Sequence, residues 1–370
     1  MTASDGTVGV AFIGCGSVMQ GAYLPRARHL ERLGRVRVIG ACDRTTRRSD
    51  ALLALGIDRF TVDVDELVGW DDVDVIVVAT PIATHVDLAA AALQAGHHVL
   101  LEKPMAASLA DARRLQAVAA GCTGMLMVAP AVTLTDTFAR IRAHLDDGDI
   151  GTVSLARTMY GWAGPDWSEW FYAADGGPLR DLGVYGITSL TGLMGPALSV
   201  MAMGGVTQPE RVVNGSTVPS LIDDHVQLLL EFEAGAIGVV TSGFTVQQAN
   251  VPSLEIYGTS GTVQLLGHDW APEGYELWTN DTGCWRRYPD REPGWPWTSG
   301  LDHVVDAARG AKKVSSTIDH AVHVTEIIEA ALRSTADGRR HSLVTSFERP
   351  PAEVIGDSSA HRRHDPTRHD

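Results

Sequence analysis

Lysine is scarce in this chain, and one lysine stands where a proton-transferring group would be useful. Of the 30 basic residues only three are lysines, Lys103, Lys312 and Lys313. Lysine can give up a proton in a folded protein, whereas arginine cannot. Lys103 follows an apolar run in the segment Leu101-Glu102-Lys103-Pro104, and the proline ends that run. We therefore predict that Lys103 lies at the carboxyl end of a strand, where it would face a ligand crevice.

Asp181 and Tyr185 form a second candidate group. They are four residues apart, so their side chains share one face if the segment is helical. Gly183 and Gly186 would each weaken that helix by about 1 kcal/mol, which indicates a close neighbour. Carboxylates and phenols are groups that enzymes use for proton transfer. The structural alternative is a helix-capping aspartate and a core tyrosine.

A glycine-rich turn near the start of the chain could hold a dinucleotide. The apolar run Val8–Ile13 leads directly into Gly14-Cys15-Gly16-Ser17-Val18-Met19. Gly14 permits a tight turn, and Gly16 lets a pyrophosphate approach the backbone at a helix N-terminus. Met19 occupies the third glycine position, so the G-x-G-x-x-G pattern is incomplete and an ordinary strand-to-helix turn is the alternative.

Asp43 strengthens the prediction of a dinucleotide site. It ends the second apolar run, where an acidic side chain accepts hydrogen bonds from ribose hydroxyls, and this favours NAD. Arg44, Arg47 and Arg48 follow directly and would suit the extra phosphate of NADP, although a solvated helix start explains them equally. NAD is the expected cofactor, and NADP stays open.

The first 130 residues alternate apolar runs with helical segments. Val73–Ala79 is continuously apolar, which is typical of a strand buried on both faces. This βαβα rhythm predicts an α/β Rossmann domain with a doubly wound parallel sheet over residues 1–130. From residue 131 to 349, strand-like runs separated by Gly-containing turns predict an α+β domain with an antiparallel sheet. Residues 350–370 are polar and charged and are expected to be disordered.

The composition excludes several classes of partner. The formal net charge of −15 disfavours binding to nucleic acid and to anionic membrane surfaces. No apolar run approaches the roughly 18–20 residues that span a bilayer, and the polar start lacks the layout of a secretion signal. A cytoplasmic protein is therefore expected. The four cysteines form no C-x-x-C pair, and no metal site is predicted.

These motifs together resemble the Gfo/Idh/MocA family (glucose–fructose oxidoreductase and inositol dehydrogenase). The resemblance covers most of the chain and rests on elements that occur in one order: Gly14-x-Gly16, Asp43, Ala79-Thr80-Pro81…His85, Glu102-Lys103-Pro104 and Asp181…Tyr185. It implies a Rossmann domain, an open-faced and mostly antiparallel sheet that forms a homodimer or homotetramer, NAD or NADP as cofactor, and substrates such as sugars and cyclitols.

The resemblance also implies residue roles. Lys103 would be the catalytic lysine, and Asp181 would orient the substrate. Tyr185 stands where many members have histidine, so the proton donor is either Tyr185 or Lys103. The positions that would contact the cofactor are Gly14, Gly16, Ser17, Val18, Asp43, Arg44, Thr80, Pro81, His85, Glu102 and Lys103.

The chemistry of hydride transfer requires a proton to move with the hydride. Lysine and tyrosine ordinarily have pKa values near about 10.4 and 10. A positive nicotinamide and the closeness of Lys103 and Tyr185 are expected to lower both pKa values toward neutrality, where acid–base catalysis works best.

An aromatic cluster precedes Asp181. Trp162 and Trp167 are the predicted substrate contacts, together with Lys103, Asp181 and Tyr185, because aromatic faces can stack on a sugar ring. Capping of the sheet or an oligomer contact is the alternative.

The combined interpretation is an NAD(P)-dependent oxidoreductase acting on a secondary alcohol or ketone of a sugar, cyclitol or related small polyol. Two alternatives are a catalytically silent dinucleotide-binding regulator and an NADPH-dependent keto-sugar reductase. A short-chain dehydrogenase is excluded because no tyrosine is followed by lysine four residues later, and a zinc alcohol dehydrogenase because its Cys/His ligand set is absent.

Overall fold

The first part of the chain forms a parallel sheet between two layers of helices. The structure is a computed structural model, and it describes residues 6–268, 271–291, 297–310 and 318–349. The sheet has the order β3-β2-β1-β4-β5-β6, and all its strand pairs are parallel. Its strands are β1 Val8–Ile13, β2 Val36–Cys42, β3 Phe60–Thr61, β4 Val75–Val78, β5 His98–Leu101 and β6 Leu126–Val128.

The helices of this part fall on both faces of the sheet, because its central strands are apolar on both sides. They are α1 Leu24–Arg32, α2 Ser49–Ala54, α3 Val64–Val68, α4 His85–Gln94 and α5 Leu109–Ala120. The first two helices pack on one face and the last three on the other. Ser108 caps α5, since its hydroxyl accepts the backbone N–H of Asp111. The predicted doubly wound Rossmann domain is confirmed.

The second part of the described chain is built on a nine-stranded sheet with the order β16-β15-β14-β13-β7-β12-β11-β8-β17, beside a separate β9–β10 hairpin. The elements are α6 Asp136–Asp146, β7 Val153–Gly161, α7 Val184–Met194, β8 Ser199–Gly205, β9 Glu210–Val213, β10 Ser216–Pro219, β11 His225–Glu231, β12 Ile237–Gly243, β13 Leu254–Gly258, β14 Gly261–His268, β15 Ala271–Thr279, β16 Cys284–Pro289, α8 Gly300–Ala308, α9 Ile318–Asp337 and β17 His341–Ser342. The pair β7–β12 is parallel and the other pairs are antiparallel.

One face of this sheet is covered and the other is open. Side chains from α6, α7 and α9 pack on the covered face in one apolar cluster. On the open face, Met203 is 77% exposed and Leu229 is 49% exposed. The predicted mostly antiparallel, open-faced sheet is therefore confirmed.

The division into residues 1–130 and 131–349 stays a prediction, and one helix of the later range packs on the first sheet. Helix α8 belongs to the later range, yet its Leu301, Val304 and Val305 share a buried cluster with Val8 and Val10 of β1. The apolar side chains of α8 cover the α1 face of the first sheet and remove it from water. The predicted disordered tail, residues 350–370, lies outside the described residues, as do Lys312 and Lys313. No helix among the described residues is both long and apolar enough to cross a membrane.

Candidate functional site

The predicted site residues gather at one edge of the parallel sheet. Parallel strands end at a common edge, and ligands bind there where the strand order reverses. In this sheet the reversal lies between β1 and β4. The segments that leave this edge are Gly14–Val18 after β1, Asp43–Arg44 after β2, Thr80–Pro81 after β4 and Glu102–Lys103 after β5.

The glycine turn has room on its outer side and none on its inner side. Gly14 has φ +90°, and a Cβ there would lie 2.4 Å from the carbonyl oxygen of Ala79. A Cβ on Gly16 would meet no atom within 4 Å. Ser17 and Val18 are exposed beside this space. The turn therefore has the geometry that suits a pyrophosphate, with only Gly14 strictly requiring glycine.

Met19 explains how the incomplete glycine motif is accommodated. Its side chain is fully buried in the core, whereas a glycine at this position would let the helix pack closely on the strand. The helix begins there with a wider π turn, Met19–Tyr23, before the regular helix α1. Such turns occur often at functional sites.

Asp43 already has protein partners. Its Oδ2 accepts the backbone N–H of Cys15 at 3.1 Å, which ties the second strand to the glycine turn. Arg48 Nη1 lies 3.0 Å from the same oxygen. Arg44 and Arg47 are exposed beside this pair. This end of the crevice thus contains both an acceptor and a local positive charge.

Lys103 and Asp181 meet although they come from different parts of the chain. Lys103 Nζ lies 2.6 Å from the carbonyl oxygen of Asp181 and 3.0 Å from its Oδ1. Nζ is also 5.0 Å from the centre of the Tyr185 ring, within cation–π range. An ammonium has three hydrogens, and Asp181 is the only described residue that accepts from Nζ. The structure therefore brings the three predicted catalytic residues together.

A second π turn contains Asp181. Residues Leu179–Gly183 form the turn, immediately before α7. In a regular helix the carbonyl oxygen of each residue accepts the N–H four residues on. Asp181 lies within the π turn, and its carbonyl accepts from Lys103. At Gly186 the helix α7 lies close to β7, since a Cβ there would lie 2.4 Å from Thr158 Oγ1.

The pKa of Lys103 moves in the opposite direction from the sequence expectation. Burial alone would lower the pKa, but interactions with Asp181, Tyr185 and Glu102 outweigh burial and raise the pKa above its usual value. The expected lowering of the Lys103 pKa is wrong as far as the protein's own side chains are concerned, because the carboxylates of Asp181 and Glu102 lie near this ammonium. For Tyr185 the expectation stays a prediction. Lys103 is held in its charged form.

Two residues predicted to contact the cofactor instead face the protein interior. The ring of His85 is 1% exposed, and its nitrogens lie 2.9 Å from the carbonyl oxygen of Pro104 and 2.8 Å from that of Thr80. Glu102 is 7% exposed, and its carboxylate accepts from Tyr23 and from the backbone of Lys103. Their side chains have little surface to offer a ligand. Cofactor contact by these two residues stays a prediction, and in this structure their side chains bond internally.

Aromatic side chains continue from Tyr185 along β7. The Tyr185 ring stacks on Tyr160 with centres 6.3 Å apart. Tyr160 and Trp162 are two residues apart on or directly after one strand, so their side chains point to the same face. Trp162 then contacts Trp167 at 5.2 Å between ring centres. The predicted contacts Trp162 and Trp167 therefore extend outward from Tyr185, and Tyr160, which the sequence did not single out, links them to it.

A buried ion pair holds the β9–β10 hairpin against this aromatic cluster. Arg211 on β9 reaches Asp224 at 3.4 Å, and both side chains are almost fully buried. Arg211 also donates to the carbonyl oxygens of Ala163 and Phe244, which flank the cluster. The sequence of the hairpin does not predict this ion pair, because the hairpin contains no long apolar run.

Both parts of the chain match sequence models of one family. Residues 8–129 match GFO_IDH_MocA, an oxidoreductase family with an NAD-binding Rossmann fold. Residues 138–264 match the GFO/IDH/MocA C-terminal domain. Together the matched segments cover more than half of the chain.

Named proteins resemble the chain over most of its length. Trans-1,2-dihydrobenzene-1,2-diol dehydrogenase of Oryctolagus cuniculus is 28% identical over 257 residues, 67% of this chain and 71% of the relative. D-apiose dehydrogenase of Paraburkholderia graminis is 26% identical over 368 residues, 95% of this chain and 94% of the relative. The structure of GenD2 from gentamicin A biosynthesis in complex with NAD is 30% identical, with a TM-score of 0.73 over 93% of this chain and 99% of that one. This chain therefore belongs to the Gfo/Idh/MocA family of NAD(P)-dependent oxidoreductases.

Proposed function

We propose that the chain transfers a hydride between a nicotinamide dinucleotide and a secondary alcohol or ketone of a sugar, cyclitol or related small polyol. One observation carries this proposal. Lys103 Nζ lies 3.0 Å from Asp181 Oδ1 and 5.0 Å from the centre of the Tyr185 ring, at the strand edge that also carries the glycine turn. A silent dinucleotide-binding regulator would not require this cluster.

The residues at the strand edge fit a dinucleotide. The open space at Gly16 would receive the pyrophosphate, and Asp43 would receive a ribose hydroxyl. Thr80 and Pro81 lie on the opposite side of the crevice, after β4. When bound, the nicotinamide supplies or accepts the hydride.

Lys103 and its neighbours would hold and transfer the proton. Because the pKa of Lys103 is raised, the side chain is an ammonium at neutral pH, and the hydrogen not bound to Asp181 can point at the reacting oxygen. Asp181 fixes the position of Nζ through two contacts. Tyr185 is the second proton-transferring side chain beside Nζ. Either Lys103 or Tyr185 serves as the final donor.

The aromatic cluster supports a ring-shaped substrate. Trp162 and Trp167 continue from Tyr185 and would stack on the less polar face of such a ring. The named relatives act on a cyclic diol and on a sugar, in the words of their names. These observations favour sugars and cyclic diols as the first compounds to test.

The decisive experiment combines a substrate screen with variants of Lys103. Sugars, cyclitols and keto-sugars are offered with NAD(H) and NADP(H), and turnover is followed by NAD(P)H absorbance. We expect Lys103→Ala to lose nearly all turnover, on the order of 100-fold or more, while cofactor affinity stays close to that of the wild type. Lys103→Arg keeps the charge but cannot release the proton, so it distinguishes acid–base from purely electrostatic action. Unchanged turnover in Lys103→Ala would contradict the proposal.

A second candidate is an NADPH-dependent reductase of keto-sugars. It is favoured by the arginines at the ribose end, where Arg48 partly neutralises Asp43 and Arg44 lies exposed alongside. A lower dissociation constant for NADPH than for NADH would support it, and the reverse order would favour NAD. If neither cofactor supports turnover of any compound, the silent regulator is the better description.

The open sheet face is our candidate for contact with a second copy of the chain. Met201 and Leu229 are cross-strand neighbours there, and Met203 is the most exposed of the large apolar side chains on this face. A homodimer or homotetramer would remove these side chains from water. We expect sedimentation to give an oligomer for the wild type and a smaller species for Met203→Glu. A monomeric wild type would refute this.

A further inference from the structure

A buried tyrosine connects the cofactor-binding turn to the residue that precedes Lys103. Tyr23 ends the π turn that follows the glycine-rich segment, and its side chain is 1% exposed. Its hydroxyl donates to Oε1 of Glu102 at 2.5 Å, across 79 positions of the sequence. The other carboxylate oxygen, Oε2, accepts the backbone N–H of Lys103 at 3.1 Å.

Glu102 is an unusual buried carboxylate. A buried charge is costly unless hydrogen bonds or an opposite charge compensate it. No basic side chain forms an ion pair with Glu102 anywhere in the described ranges, and Tyr23 is the one side chain that donates to it there. Removing this donor would leave the carboxylate with a single backbone hydrogen bond, so its position depends on Tyr23.

We propose that Tyr23 is a positioning residue for the reaction: through Glu102 it fixes the backbone and the electrostatic surroundings of Lys103. The proposal rests on the catalytic role proposed above for Lys103. Tyr23 also stands on the helical segment whose start would hold the pyrophosphate, so the same hydroxyl links cofactor binding to the lysine.

The alternative is that Tyr23 only fills the core. Its ring contacts Trp297 edge-on at 5.5 Å and belongs to a large apolar cluster. A phenylalanine would satisfy that packing equally well, because it lacks only the hydroxyl. The hydroxyl is therefore the atom to test.

The test compares Tyr23→Phe with Tyr275→Phe. Tyr275 is a matched control, because it is also 1% exposed and its hydroxyl also hydrogen-bonds to a side chain, His144 at 2.8 Å, away from Lys103. We expect Tyr23→Phe to lower kcat about tenfold with cofactor affinity changed less than about twofold, and Tyr275→Phe to leave kcat unchanged. The double variant Tyr23→Phe/Glu102→Ala should be no slower than Glu102→Ala alone, since either change removes the hydrogen bond between Tyr23 and Glu102.

Other outcomes separate this inference from the proposed function. If Lys103→Ala is inactive while Tyr23→Phe retains the kcat and pH profile of Tyr275→Phe, this inference is overturned and the proposed function stands. If Lys103→Ala keeps full turnover, both are overturned. Should Tyr23→Phe not fold, Glu102→Gln keeps the side-chain shape and removes the charge. We then expect Glu102→Gln to lose activity on the alkaline side of its pH profile at a lower pH than the wild type does. An unshifted alkaline side would overturn the inference.

Discussion

Replacing Asp181 by asparagine would test the electrostatics of the site most directly. The change preserves the size of the side chain and leaves an oxygen that can accept from Lys103 at the place of Oδ1. It also leaves the bond between Nζ and the backbone carbonyl of Asp181, 2.6 Å long. The geometry is therefore expected to persist while one negative charge disappears, which lowers the pKa of Lys103.

The distance gives the size of the effect. Two unit charges 3.0 Å apart attract by about 5 kcal/mol when the effective dielectric constant is about 20. The two side chains remain 14% and 18% exposed, so water screens part of this attraction and we take about 2–4 kcal/mol. Because one pH unit corresponds to about 1.4 kcal/mol, the titration of Lys103 should move down by about 1.5–3 pH units.

The scarcity of lysine makes this measurable without a substrate. The chain has three lysines, so NMR of protein labelled at the lysine ε-carbon gives three signals, and Lys103→Arg identifies the one from Lys103. Asp302→Asn is the control, since Asp302 is 15% exposed and paired with Arg26 elsewhere. If the Lys103 signal titrates at the same pH in the wild type and in Asp181→Asn, the ion pair does not hold the proton and the reasoning is refuted.

Two further predictions concern stability. Gly186→Ala should lower the denaturant midpoint, with a cost of about 1–3 kcal/mol, because the new Cβ would lie 2.4 Å from Thr158 Oγ1; a raised midpoint would show that α7 has room there. Asp224→Ala should cost about 3–5 kcal/mol by leaving Arg211 buried and unpaired, and a loss below about 1 kcal/mol in chemical denaturation would contradict this. Burial alone would raise the pKa of Asp224, but bonds from His225, Gln208 and Thr207 lower it, so its contribution is present at neutral pH and disappears as acid protonates it.

The strands of the first sheet were predictable because burial on both faces leaves continuous apolar runs. The predicted run Val73–Ala79 and the observed strand Val75–Val78 differ only at their ends. The strand Phe60–Thr61 was missed because two residues carry no periodic pattern. Helix Gly300–Ala308 was also missed, and its return to the first sheet is a long-range packing choice that local pattern does not encode.

The sequence predicted that Lys103, Asp181 and Tyr185 lie together, as they do in the structure, but not how several neighbouring side chains are oriented. Which of these residues bind or react stays a prediction. Residue type and the common edge of parallel strands bring Lys103 beside the glycine turn. The inward direction of His85 and Glu102 depends on partners far along the chain, such as Tyr23. The charge state of Lys103 likewise depends on two carboxylates that spacing alone does not bring together.

The π turn at Leu179–Gly183 makes the site depend on chain length as well as on residue identity. A π turn contains one residue more than the α-helical turn it replaces, and each helical residue rotates the chain by about 100°. Deleting one residue from this turn, upstream of Tyr185, would replace the π turn by a regular helical turn. Asp181 would then be rotated away from Lys103 Nζ, although Lys103, Asp181 and Tyr185 would all still be present. A comparison of related chains that aligns only residue types would miss such a loss, so the spacing between Gly177 and Tyr185 is itself part of the predicted site.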